Sequence, residues 1–235
     1  MPLTDPACLP TVADLPGDDA PRHDEIKPDA SINKRVSIWR GDITKLEADM
    51  IVNAANKSLL GGGGVDGAIH RAAGPGLLRE CRTLGGARTG EVKVTDGYNL
   101  PSKRVAHAVG PIYYEDEAEL CAEQLYNCYR NALELCATHG GGSIGFSSIS
   151  TGIYGYPIED ATRIALETTR KFLEQDTSVT RVVYVVFSER DQDVYETLAP
   201  EYFPGAGDEA GGEAGAGTTS AAAAGSASGA TQGGE

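Results

Sequence analysis

No stretch of about 18 consecutive apolar residues occurs in the chain, and its N-terminus lacks the basic-then-apolar pattern of a secretory signal. The sequence predicts neither a membrane-spanning helix nor export, so an intracellular protein of the cytoplasm or nucleus is expected. Cysteine is scarce and odd in number: Cys8, Cys81, Cys121, Cys128 and Cys136 contain no CxxC pair. That pattern fits neither a disulfide framework nor a cysteine-based zinc site. Basic residues are also short, with 20 Lys and Arg against 34 Asp and Glu and a net charge of −14. Duplex nucleic acid is held by clustered Lys and Arg, so a broad nucleic-acid face is not expected and room remains only for a local basic groove.

The acidic excess sits mostly at the ends. Residues 1–30 carry seven acids and two bases, and residues 205–235 carry four acids and no base. The second segment contains ten Gly, ten Ala and no aromatic, so it cannot bury enough apolar surface to fold and is predicted to be a disordered tail. Residues 1–30, with six Pro, are predicted to form a largely irregular extension, in which Leu9, Val12 and Leu15 at three-residue spacing can dock as one short turn. Residues 31–204 have the length of one domain.

Within that domain, strand and helix signals alternate. Val36–Arg40, Met50–Asn53, Val92–Thr95, Val105–Val109, Ser143–Ser150 and Val182–Phe187 are short, apolar and rich in β-branched residues, as strands of a covered sheet are. Helical patterns cover Val65–Ala73, a turn or two of Pro75–Leu84, Glu117–His139, Glu159–Glu174 and Asp191–Leu198. In the longest, Cys121, Leu125, Cys128, Ala132 and Leu135 form one apolar stripe, which reads the cysteines as small core residues, and Gly140–Gly142 end the helix. The alternation predicts an α/β sandwich with helices on both faces of one sheet.

In such a sheet, ligands bind beyond the carboxyl ends of strands, and two glycine-bearing loops fall there. The first runs Asn53-Ala54-Ala55-Asn56 to Gly61-Gly62-Gly63-Gly64 and enters the helix at Val65-Asp66. Four glycines are either a flexible linker or a surface that lets backbone approach a ligand, and the helix N-terminus directly after them offers free N–H groups to an anion. The second loop, Ser147–Pro157, again offers small residues between a strand and a helix. Neither loop fits GxxxxGK[ST] or GxGxxG, so neither a P-loop nor the dinucleotide fingerprint applies.

Taken together, Gly41-Asp42-Ile43-Thr44, Asn53-Ala54-Ala55-Asn56, Gly61 through His70, Val109-Gly110-Pro111 and Ser150-Thr151-Gly152-Ile153-Tyr154-Gly155 closely resemble the macro domain family, specifically its MacroD-type branch. The resemblance spans about residues 36–203. It implies a three-layer α/β/α sandwich with a mixed six-stranded sheet that binds ADP-ribose at the strand ends. It further implies a hydrolase that removes mono-ADP-ribose from Glu or Asp side chains of proteins and deacetylates O-acetyl-ADP-ribose. An ADP-ribose reader without hydrolytic activity is the alternative, as some family members are. No cofactor and no metal are implied, since the zinc-using subset places Cys and His where this chain has Gly61–Asp66; a monomer is expected.

Carried over by position, Asp42 would accept from the adenine amino group with the Ile43 N–H beside it, unless Asp42 is a turn or cap residue. Gly61, Gly62, Gly63, Gly64 and Val65 would line the distal ribose, and Ser150, Thr151, Gly152, Ile153 and Tyr154 would wrap the diphosphate. Tyr156 stands where relatives often carry Phe and would add a polar contact. Phe187 would stack on adenine or else pack in the core. The catalytic resemblance rests on Asn53, Asn56, Asp66 and His70. Asn53 would hold a ribose hydroxyl or form a turn, and Asn56 would do so or brace the loop. Asp66 would activate water, with a cap as the alternative. The helix field is expected to lower the Asp66 pKa and so weaken it as a base, which makes help from the substrate phosphate attractive. His70, four residues on, faces the same side of the helix and would support Asp66 or be an ordinary core histidine.

Overall fold

The computed structural model describes residues 2–15 and 26–205, and the expected C-terminal tail lies almost wholly outside them. Six strands, β1 (Val36–Arg40), β2 (Met50–Ala54), β3 (Val92–Asp96), β4 (Arg104–Ala108), β5 (Gly142–Ser147) and β6 (Val179–Val186), form one sheet in the order β1-β6-β5-β2-β4-β3. Every neighbouring pair is parallel except β3 with β4, which makes the sheet mixed. Alternation along the strands divides the core into two layers. Met50 and Val52, with Val182, Tyr184 and Val186, pack beneath α4 (Ala118–Thr138), α5 (Ile158–Leu173) and α6 (Glu189–Tyr202). Ile51, Val105, Val183 and Val185 face the other way, toward α2 (Gly64–Ala73) and α3 (Pro75–Thr83). The Cys121, Cys128 and Cys136 side chains are all buried in the first layer. No helix among the described residues is long and apolar enough to cross a membrane.

Two element ends and one short helix differ from the sequence pattern for evident physical reasons. The pattern ends the last helix at Leu198, yet α6 runs on through Pro200 to Tyr202. Burial of Leu198, Ala199, Tyr202 and Phe203 carries the turn past the proline. The fifth strand ends at Ser147 instead of Ser150, since Ser150 adopts φ +66° and turns the chain out of the sheet. A four-residue helix, α1 (Ala30–Asn33), has too few residues for a periodic signal; Asp29 caps it by accepting from the Ser31 and Ile32 N–H groups.

The two ends of the domain are tied together. Asn33 Nδ2 donates to the carbonyls of Phe203 and Pro204, and the buried Arg170 guanidinium donates to the carbonyls of Tyr202 and Lys27. The N-terminal arm also docks: Val12 is buried in the first core layer with Leu15 against it, while the Thr4 N–H bonds the Lys45 carbonyl. Val12→Ala is expected to lower unfolding free energy by about 1–2 kcal/mol, the cost of deleting two buried methyl groups. A urea melt with an unshifted midpoint would show that the arm contributes nothing.

Candidate functional site

The site begins with the register of two neighbouring strands. β2 and β4 run parallel with Asn53 opposite His107, and alternation turns both side chains toward the α2–α3 layer. Both are wholly buried. Above them, α2 starts at Gly64 after Gly63 in extended conformation, which sets Asp66 as its third residue, 4% exposed. Asp66 is not a cap: no side chain caps this helix, and Asp66 Oδ1 instead accepts from Asn53 Nδ2 at 2.8 Å. His70 Nε2 lies 3.4 Å from the same oxygen but is buried without a hydrogen bond. The other oxygen, Oδ2, looks toward the glycine loop, since a Cβ added at Gly62 would meet it at 3.1 Å and Asn56 Nδ2 at 3.2 Å.

The expectation of a lowered Asp66 pKa is overturned. Burial raises the carboxyl above its ordinary value, and the Asn53 hydrogen bond and the His70 ring oppose that only in part. Desolvation in a site 4% exposed outweighs the partial charge of one helix end. A carboxylate pushed upward is a better base near neutral pH than one pulled down.

Beside Asp66 opens a cavity of about 260 Å³ at the carboxyl ends of β2 and β5, lined by Ala54–Asn56, Gly62–Asp66, Gly110, Ser148–Ser150 and Gly152–Tyr154. Its walls carry no Lys or Arg. They offer backbone instead. The N–H groups of Gly64, Val65 and Asp66 precede the first bond of α2, from Gly67 to Gly63, and so have no partner within the helix. On the opposite wall, the loop is closed by Tyr156 N–H to the Ser150 carbonyl and Gly155 N–H to the Gly152 carbonyl. Among the described residues, the N–H groups of residues 151 to 154 donate to nothing. Ser150 Oγ is likewise buried without a partner. Unengaged N–H groups of residues 64–66 and 152–154, on two walls of one cavity, make an anion cradle.

The structure thus gathers Asn56, Gly62, Gly63, Gly64, Val65, Asp66, Ser150, Gly152, Ile153 and Tyr154 around one space. Other expected site residues fall elsewhere. Asn53 is sealed beneath Asp66 and does not reach the cavity, so its amide holds the carboxylate and no ribose hydroxyl. Asn56 braces the loop, Nδ2 donating to the Gly61 carbonyl and Oδ1 accepting from Ser58, while one side of it still lines the cavity. Gly61 instead backs onto the His70 ring. Asp42 caps a short 3-10 turn through the Thr44 N–H and hydroxyl, Ile43 is buried, and Thr151 is outside the lining. Tyr156 is core, its ring 4.8 Å from that of Tyr113, because the residue after Gly155 turns inward. Phe187 is 92% exposed, which rules out core packing.

His107 escaped the sequence reading, although a lone histidine inside Val105–Val109 was a visible anomaly. Burial and the nearby His70 push its pKa down to about 3, so the ring is neutral. With Cys81 and His70 it forms a group whose donor atoms lie within 4.8 Å of one another, the residue types that bind zinc. Its atoms are engaged with protein: His107 Nε2 lies 3.0 Å from Thr95 Oγ1 and 3.6 Å from Cys81 Sγ. The Cys81 thiol, pushed up to about 11 by burial, would have to ionise to bind an ion.

This fold and cavity place the chain: it belongs to the macro domain family, in its MacroD-type branch, with residues 52–165 matching the family. It is 56% identical over 167 residues to the macro domain-containing protein CT2219 of Chlorobaculum tepidum, covering 70% of this chain and 95% of that one. It is 51% identical over 179 residues to the ADP-ribose glycohydrolase MACROD1 of Rattus norvegicus, covering 76% and 69%. Against several other MACROD1 and MACROD2 proteins it spans only about half of their length, between 47% and 55%. Among solved structures, the Trypanosoma brucei macrodomain in complex with ADP-ribose superposes with a TM-score of 0.68 at 45% identity, covering 77% and 78%.

Proposed function

We propose that this protein binds ADP-ribose and hydrolyses its ester link to Glu or Asp side chains of proteins, releasing free ADP-ribose and the unmodified carboxylate. The observation that carries this reading is the cradle of unengaged N–H groups with one buried carboxylate at its end. A diphosphate suits the cradle without Lys or Arg, as backbone amides supply the positive ends of dipoles at fixed positions. Asp66 Oδ2 then faces the part of the ligand beyond the glycine loop, where the distal ribose would lie. There the carboxylate orients a water molecule and takes part of its proton while the substrate's own phosphate helps hold that water. The relatives support this reading by their names, and the Trypanosoma brucei complex by its ligand. The same water attack on O-acetyl-ADP-ribose would release acetate.

Two measurements test it. By calorimetry, ADP-ribose is expected to bind with micromolar affinity, about −8 kcal/mol, and AMP far more weakly. Equal affinities would show that neither loop contributes. In the second, incubation with a protein mono-ADP-ribosylated on glutamate should release ADP-ribose; binding without release would leave only a reader.

A further inference from the structure

Beneath the cavity runs a chain of side chains that the reaction at Asp66 does not itself employ. Asp66 as a carboxylate can only accept, so the Asn53 atom 2.8 Å from Oδ1 is the amide nitrogen. The same nitrogen lies 3.1 Å from His107 Nδ1. An amide nitrogen can only donate, so Nδ1 is the bare nitrogen of a neutral imidazole. The ring proton is therefore on Nε2, which donates to the buried Thr95 hydroxyl at 3.0 Å. Both protons of one amide are thus committed, one to each neighbour.

We propose that His107 is a positioning residue for the chemistry at Asp66: by accepting one Asn53 proton it fixes the amide so that the other is held on Asp66 Oδ1, leaving Oδ2 as the oxygen presented to the cavity. The inference rests on reading Asp66 as the group that activates water. Without an acceptor below, the Asn53 amide has one proton unsatisfied in a fully buried site, and it regains a partner only by rotating away from the carboxylate. Asn53 Oδ1, already buried without a partner, shows that the arrangement is not set by satisfying every atom of Asn53 itself. The groups facing this network are His70 from α2, Cys81 from α3 and Thr95 from β3, and all three are present in every variant below.

The test uses His107→Leu and His107→Asn, with single-turnover release of ADP-ribose from a glutamate-linked protein followed across pH. His107→Leu removes the acceptor and should slow release about 10-fold or more while ADP-ribose affinity stays within about threefold. It should also move the acid limb of the rate profile to higher pH, because the Asn53 hydrogen bond is the larger of the two influences, ahead of His70, that oppose the effect of burial on the Asp66 pKa. In His107→Asn the side-chain carbonyl takes the place of Nδ1, so most of the rate should return and the limb should move back. An unmoved limb in His107→Leu, or equal losses in both variants, overturns the proposal. Should His107→Leu not fold, nitrogen NMR of the wild-type ring decides: a bare Nδ1 and a protonated Nε2 are expected, and a protonated Nδ1 is incompatible with the proposal. Asp66→Asn, assayed alongside, separates the two readings, since full activity there overturns the role of Asp66 itself, whatever the His107 variants do.

Discussion

Asp66→Asn is expected to leave a folded protein that binds ADP-ribose normally but releases it from a glutamate-linked substrate ~100-fold more slowly or worse, the range for loss of a group that activates water. The substitution keeps the shape, and its carbonyl can still accept from Asn53 Nδ2. Stability should move in the opposite direction. Burial raises the folded-state pKa of Asp66 above its unfolded value, so the folded protein loses stability as pH rises from the ordinary carboxylate range through that raised pKa. At neutral pH the variant, with no buried anion, should melt no lower than wild type, and the gap should close in acid, where both states of the wild type are protonated. Melting curves at two pH values and single-turnover rates on the same preparations decide the matter. Undiminished release would remove Asp66 from the mechanism.

Gly110→Ala should abolish most of the binding without touching any charged group. Gly110 follows β4 and faces the second loop: a Cβ there would lie 2.2 Å from Ser150 Oγ and 2.6 Å from Ile149 Cγ2. Its own backbone would accept alanine, so the clash alone sets the cost. The loop cannot yield cheaply, because Ser150 already holds φ +66° and its carbonyl accepts from the Tyr156 N–H. Overpacking of this kind costs about 1–3 kcal/mol, and a loop displaced to relieve it no longer aims its amides at a diphosphate. An affinity loss of about 30-fold, near 2 kcal/mol, is expected for ADP-ribose by calorimetry. If affinity were unchanged, the residue 151–154 amides would not be the diphosphate site.

Why some of this was legible in sequence and some was not follows from the range of each interaction. Among the described residues, all six strands and five of the six α-helices announced themselves through periodicity and turn residues, because those signals are local. Gly74, with φ +77°, and Pro75 mark the junction of α2 and α3 in the same direct way. Asp66 and the two loops could be singled out since their chemistry depends on position after a strand or at a helix start. The depth of a side chain is another matter. Asn53 looked like a ligand contact because it ends a strand, but whether its amide points up to a ribose or sideways under α2 depends on strand parity relative to a helix that follows ten residues later. The Asp66 pKa was misjudged for the same reason: the helix field is readable from sequence, whereas desolvation is a property of what packs around the group. His107 required both the register of β4 on β2 and the burial of Thr95 and Cys81 around it.

The paired contacts at Asn33 and Arg170 have a consequence for how the domain can be attached to other things. One guanidinium bonds carbonyls at residues 27 and 202, so the segment that leads into β1 and the end of α6 meet at nearly one point, while residues 2–15 dock separately. That point lies just ahead of β1, at the amino ends of the parallel strands, whereas the cavity opens at their carboxyl ends, a strand length of about 16 Å away for five residues. Closing a short connection from residue 205 back to residue 26 should cost little chain entropy, but a permutation made that way gives up the docked arm of residues 2–15 and the core contact of Val12. A tag or surface joined at residue 205 would hold the cavity facing away from itself.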